Sequence, residues 1–368
     1  MGVASRVGQV RRRLPTLSGE VIVTLLIIAL VGDLLRRLLS GIIGGPYLAS
    51  VLIEGLTIGL AYGLAGIGLS MTYSILSFAN FAHGDTMTIG AMSGWSVAYL
   101  LGGIGTATAG ELLLLDANPG LSITASFGVV IIGVVAAGAL TAGLTVLVDR
   151  LVYRPMRRAD GILLLIASMG VALAFRYLAA FFYGTDVMGI TQPSGTLALL
   201  RVDGTTGIGV LAANQGGSEL GSAGEVAGFI ALSGTTAPTG TILSVTLHSV
   251  VLIVVASLLM LAVHVLLQRT KMGKAMRAMA DNKPLAQVTG IPTERVIRLT
   301  WIIGGALAGI AGFLIVLKSG TGSFNFGWRV LLFIFAAGVL RGDGSGFPRA
   351  ARGGWGGGCS FYTSLAPS

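Results

Sequence analysis

The chain has 368 residues, 54% of them apolar and only 11% charged, with 57 glycines and a formal net charge of +9. A soluble core of this length would carry about a quarter charged residues, so this composition and a mean hydropathy of +0.86 mark a protein that crosses a membrane several times. The single cysteine, Cys359, excludes an intrachain disulfide framework and a cysteine-based metal site; the positive charge does not imply nucleic acid, because it collects at the ends of apolar runs.

Residues 1–20 place Arg6, Arg11, Arg12 and Arg13 before the apolar run Val21 to Val31. The outline is that of a signal peptide, but no small-x-small cleavage site follows, and Asp33, Arg36 and Arg37 intervene. An uncleaved first span at 20–39, within an N-terminal segment 1–47, is therefore expected. Further spans are expected at 48–72, 85–104, 123–148, 162–183, 243–267 and 298–317, each near the roughly 20 residues that cross a bilayer, with an incomplete one at 329–340. The fold class is all-α: a polytopic transmembrane helical bundle of about 7–8 spans, carrying one short cytoplasmic helical element.

Basic residues set the orientation. With the amino terminus cytoplasmic, the inner connections are 1–19 with its four arginines, 149–161 with Arg150, Arg154, Arg157 and Arg158, and 268–297. The outer loops are 105–122 with no Lys or Arg, 184–242 with only Arg201, and 318–328 with Lys318. The positive-inside rule is satisfied, with Arg36 and Arg37 in dissent. The Gly-, Ser- and Thr-rich loop 184–242 is expected to be structureless, either functional on the outer side or an insertion without contacts.

Two charges sit well inside expected spans, Glu54 and Arg176. Such charges generally face a bundle interior or a water-filled cavity. Both are expected in the outer half, pairing with each other or lining an outer vestibule; the alternative is that each snorkels to the interface. Between the second and third spans, Phe78 to Asp85 contains Asn80, which can cap a helix, and Gly84, which permits close backbone approach. A broken or re-entrant helix facing a cavity is one reading, with Asn80, His83, Gly84 and Asp85 shaping the translocation path; a structural turn that caps its neighbours is the other. His83 and Asp85 lack a third ligand with helical spacing, so they do not read as a metal site. Small residues line one face of two spans, Gly55, Gly59, Gly63 and Gly66 in one and Gly304, Gly305, Ala308, Gly309 and Gly312 in another, which predicts close helix packing, within the chain or across a dimer.

The longest charged interruption is 268–297. Met272, Ala275, Met276 and Met279 recur at i, i+3, i+4 and i+7, one apolar helical stripe, while Lys274, Arg277 and Asp281 fall opposite. Asn282-Lys283-Pro284 ends that helix. A second short piece, Leu285 to Thr289, stops at Gly290, and Thr293 is expected to cap the next span. The segment is either an ordinary positive loop or a docking element whose Met/Ala stripe fills a groove on a soluble partner.

Here the residues carry a resemblance. MGKAMRAMADNKPLAQVTGIPTERVIRLTWIIGGALAGIAG resembles the cytoplasmic coupling loop and following span of the permeases of branched-chain amino acid ABC transporters (LivH type). SFANFAHGDTMTIGA (77–91), VDRLVYRPMR (148–157) and IASMGVAL (166–173) are similar to other segments of that family, in the same order. The resemblance runs from about residue 48 to about 337 and implies a permease domain over 48–340. It implies a second permease subunit, two cytoplasmic ATPase subunits and an extracytoplasmic solute-binding protein as partners, in the cell membrane of a prokaryote. Gly273, Ala275, Met276, Ala280 and Gly290 would then carry the coupling to ATP hydrolysis. The chain would make no covalent bonds and hold no cofactor. It has no G-x-x-x-x-G-K-[ST], since Gly273-Lys274 is followed by Ala275, so ATP would be bound by another chain. The rivals are the same machine for urea or short amides, an ion-coupled secondary transporter and an intramembrane enzyme.

The end of the chain departs from the pattern. The tail 341–368 has eight glycines, three arginines and no helical period, and about twelve apolar residues before it cannot cross a bilayer as a helix. A change of reading frame, or of its record, near residue 338 is expected, leaving the chain without its last membrane segments.

Overall fold

A computed structural model describes residues 19–41, 45–104, 108, 110, 121, 126–157, 159–189, 191, 194, 196–202, 205–211, 226–234 and 240–340. The arginines before residue 19 and the tail 341–368 lie outside the described residues. Contacts divide the chain into two units, Met1–Leu52 and Ile53–Ser368. In the first, α1 (Gly19–Leu39) turns most of its apolar side chains outward. Asp33 binds Arg36 at 2.8 Å and Arg37 at 2.6 Å. One acid on the same helix thus offsets part of the charge that dissents from the orientation rule.

Helix α2 (Gly45–Leu76) leads into the second unit. There follow α3 (Ala82–Gly103), α4 (Phe127–Val148) extended by a single π turn (Asp149–Tyr153), and α5 (Gly161–Tyr183). After the strands come α6 (Leu247–Arg269), α7 (Lys271–Asp281), α8 (Lys283–Val288), α9 (Thr293–Ser319) and α10 (Phe326–Leu340). The protein is a helical membrane bundle. Among the described residues, five helical stretches are long and apolar enough to cross a membrane by length and composition: Tyr47–Leu76, Phe127–Tyr153, Gly161–Tyr183, Leu247–Arg269 and Thr293–Ser319.

Helix α3 is of similar length but less apolar, for a physical reason. Fifteen of its 22 residues are buried, so protein rather than lipid surrounds it and His83, Asp85, Thr86 and Thr88 are tolerated inside. The core is α3, α4 and α9, with α5 and α10 laid against α3. Small residues make this possible. A Cβ on Gly309 would stand 2.5 Å from the Ala137 carbonyl oxygen, and one on Gly94 2.6 Å from the Ala137 Cβ. The threonines of α4 satisfy themselves or their neighbours: Thr141 Oγ1 donates to the Ala137 carbonyl at 2.5 Å, and Thr145 Oγ1 to the Trp301 carbonyl at 2.9 Å. The small-residue face of α9 therefore packs as expected. That of α2 does so only in part: Gly63 and Gly66 meet Met260 and Ile334, whereas Gly55 and Gly59 meet nothing within 4 Å.

The loop expected to be structureless at 184–242 is not. Four strands, β2 (Thr196–Val202), β3 (Thr205–Leu211), β4 (Val226–Gly234) and β5 (Gly240–Thr246), form an antiparallel sheet in the order β4-β3-β2-β5. A two-residue ladder between β1 (Met188–Gly189) and β6 (Thr321–Gly322) ties the exit of α5 to that of α9. Thr196-Leu-Ala-Leu-Leu-Arg-Val202 and the β-branched residues of β5 favour strands. The sequence also carries Asp203-Gly204 between the paired Val202 and Thr205, a strong short-range hairpin signal. The next helix begins at Leu247 rather than 243, where the Thr246 hydroxyl accepts from the Ser249 N–H at 3.3 Å.

Candidate translocation path and coupling loop

Helix α2 stops at Leu76 because Ser77 takes a left-handed conformation (φ 59°), which a non-glycine residue adopts only where its surroundings demand it. The break Ser77–Phe81 is held by side chains from three places. Asn80 Oδ1 accepts from the Ala82 N–H at 3.1 Å and from the Tyr153 hydroxyl at 3.3 Å. Ser168 Oγ on α5 accepts from the Phe81 N–H at 3.1 Å. His83 Nε2 donates to the Ala65 carbonyl at 3.0 Å, fastening α3 to α2. Phe81 rather than Asn80 holds the N-cap position of α3, without a side-chain bond, while Asn80, one residue earlier, binds the first helical N–H. Tyr153 lies flat on Trp301, with centroids 5.0 Å apart and planes 5° apart, and tilts against Phe78 at 5.3 Å.

Asp85 and Arg176 meet. Arg176 Nε and Nη2 donate to the two Asp85 oxygens, each at 3.0 Å, and the Asp85 side chain has no exposed surface. The guanidinium carbon also lies 4.8 Å from the centroid of Trp328 on α10, within cation–π range. Arg176 is residue 16 of the 23 in α5, so its Cα lies about 22 Å along a helix of about 34 Å, and its side chain leans back toward the helix start. The ion pair therefore sits near the midpoint of α5. The pairing expected between Glu54 and Arg176 is not found: Glu54 binds Lys318 at the end of α9. The reason is the break, which starts α3 level with Ser168 rather than with the beginning of α5, bringing Asp85 to the height of Arg176. His83 and Asp85 turn to different helices. Gly84 matches the close approach expected of it: its Cβ would stand 2.6 Å from the Gly327 carbonyl oxygen.

In the basic hairpin, Thr270 caps α7 by accepting from the Gly273 N–H at 3.0 Å, and a Cβ on Gly273 would lie 2.6 Å from the Leu267 carbonyl carbon. The corner between α6 and α7 thus needs a residue without a side chain. Asn282 ends α7 and caps α8 through the Leu285 N–H at 3.0 Å, and Gly290 has φ 83°. Thr293 does not cap α9; Pro292 holds that position, without a side-chain bond, and Thr293 is the first helical residue. The Met/Ala stripe does not await a partner's groove. Met276 and Met279 are fully buried and Met272 and Ala275 pack on the same core. What remains exposed is on α8, where Leu285 is 59% and Val288 86% accessible. Next to this hairpin, Glu294 binds Arg157 and approaches Arg154 at 3.7 Å, while Arg157 Nη2 also reaches both Asp149 oxygens, at 3.0 and 2.8 Å. Burial works against the Arg157 charge, but its bonds to Glu294 and Asp149 outweigh burial and raise its pKa above the ordinary arginine value.

Residues 51–350 match the family model of the branched-chain amino acid transport system permease component. The chain belongs to this family. Among curated relatives, the high-affinity branched-chain amino acid transport system permease protein LivH of Escherichia coli is 29% identical over 84% of this chain and 83% of its own length. LivH of Salmonella typhimurium is 28% identical over the same shares, and BraD of Pseudomonas aeruginosa 28% over 82% and 81%. No solved structure matches the chain. In this member of the permease family, sequence reasoning singled out Asn80, His83, Gly84, Asp85 and Arg176 but missed their partners Ser168, Tyr153 and Trp328. Ser168 and Tyr153 lie in two segments that carry the family resemblance; Trp328 has no signal beyond its position in a short apolar run.

Proposed function

We propose that the chain is the membrane-spanning subunit of an ATP-binding-cassette importer that carries branched-chain amino acids across a prokaryotic cell membrane. Two cytoplasmic ATPase subunits, a second permease subunit and an extracytoplasmic solute-binding protein complete it, and the amino terminus is cytoplasmic. The family and its curated relatives support the transport role and the solute class. One structural observation supports a protein partner on this hairpin, as an ATPase subunit would be: Leu285 and Val288, one helical turn apart on α8, are apolar and exposed in a segment rich in lysine and arginine. Exposed apolar side chains in such a place fit a protein partner. The ATPase grips α8, and α7, buried along its methionine stripe, carries the movement to α6 and α9. Gly273 and Gly290 keep the two corners, and Ala275, Met276 and Ala280 the buried face, of that lever. Solute passes the break at Ser77–Phe81 and the Asp85–Arg176 pair at mid-membrane.

Val288→Glu is expected to leave insertion intact, because the side chain touches water already, while weakening ATPase attachment at least about tenfold, as loss of an interface anchor does. Co-purification of the ATPase with the permease and ATP-driven uptake in proteoliposomes measure it. Uptake that survives ATP removal and collapses with the ion gradient would instead make the chain a secondary transporter.

A further inference from the structure

We propose that Arg157 is the positioning residue through which the coupling loop moves the inner seal of the translocation path. The proposal rests on the importer reading above and names how its motion travels. Gly290 turns the chain out of α8, the Ile291 N–H bonds the Ala286 carbonyl at 3.0 Å, and α9 starts at Thr293. Glu294, the second residue of α9, therefore moves with α8. Its carboxylate is held by Arg157, which lies 137 residues away in sequence. The other prong of Arg157 holds Asp149, the first residue of the π turn, and the last residue of that turn is Tyr153. Tyr153 stacks on Trp301, touches Phe78 and bonds Asn80, whose side chain also accepts from the N–H of Ala82, the first residue of α3. Glu294, Arg157, Asp149 and Tyr153 thus join the ATPase-facing hairpin to the break in the path without a gap.

Two further observations make this a moving link rather than a staple. The buried side-chain polar atoms without a partner among the described residues are Arg157 Nε and Trp301 Nε1, and both belong to this run. An incompletely satisfied network is costly to hold in a low dielectric, so a second arrangement that gives these donors acceptors has free energy to gain. A single π turn inside a helix is also frequent at functional sites, and here it joins Asp149 to Tyr153. The two arms of Arg157 differ in strength. Asp149 is 7% exposed and Glu294 55%, so the Glu294 arm, closer to a surface ion pair, is the one that opens.

The test uses the complete transporter in proteoliposomes, with its partner subunits and binding protein, and reads solute accumulated per ATP hydrolysed. In Glu294→Gln, assembly and ATP turnover are expected to hold while uptake per ATP falls about fivefold or more, the low end of ordinary coupling between sites. Arg157→Lys, which keeps the charge but not the two-pronged fork, should fall between. Glu294→Gln combined with Arg157→Lys should lose less than the product of the two single losses. An unchanged ratio in Glu294→Gln, with the wild type importing at the expense of ATP, overturns the relay alone. A fall in assembly and uptake together, at constant uptake per ATP, shows a staple and overturns it too. A wild type without ATP-driven uptake overturns the importer reading and the relay with it.

Discussion

Arg176→Gln is expected to destabilise the bundle by about 3–5 kcal/mol and to abolish uptake, because it leaves a buried carboxylate without its partner. Asp85 has no exposed surface, so water cannot take over the two hydrogen bonds that Arg176 supplies. The loss also removes the contact over Trp328, so α5 loses a contact to α10 as well as one of its ties to α3. Asp85→Asn combined with Arg176→Gln should regain most of the stability, since a neutral pair carries no unmatched charge. Its uptake should stay low if the charges serve the solute. Thermal unfolding in detergent and uptake in vesicles separate the two effects. A single variant as stable as the wild type would show that the pair is not buried as the structure has it.

Much of the bundle was legible because its spans are unbroken apolar runs. The expected 162–183 is Gly161–Tyr183, and the expected 298–317 lies inside Thr293–Ser319. The hairpin was legible for another reason, since Asn282-Lys283-Pro284 forbids a continuous helix and leaves α7 and α8. What the sequence lacks is a coordinate for depth. Asp85 stands at the edge of its expected span, and only the rise of the break toward Ser168 shows that it reaches Arg176. Nor does a periodic stripe say what covers it. The methionines of α7 form the face that periodicity demands, but α6 and α9 already cover it, so the exposed apolar side chains, Leu285 and Val288, lie on α8 instead. The sheet was a different case: Asp203-Gly204 was there to be read, and a glycine-rich composition concealed it.

Gly327→Ala is expected to cost about 3 kcal/mol, the upper end for overpacking, and to stop transport. Its new Cβ would overlap the Gly84 carbonyl oxygen, and Thr88 Oγ1 lies 2.6 Å from the same point. The first obstacle is backbone, which cannot swing aside as a flexible side chain does. Helix α10 would have to move off α3, stretching the bond from the Gly327 N–H to Thr88 Oγ1, now 3.1 Å. Trp328 is the next residue, so the same movement withdraws its ring from Arg176 and loosens the mid-membrane pair. Gly84→Ala meets the same contact from the other side, at 2.6 Å from the Gly327 oxygen, and should fail in the same way. Gly59→Ala is the control, because nothing lies within 4 Å of its Cβ, and within this chain it should change neither unfolding temperature nor fold. If Gly327→Ala melts with the wild type as Gly59→Ala does, α3 and α10 are not in backbone contact and the seat of the Asp85–Arg176 pair is open on that side.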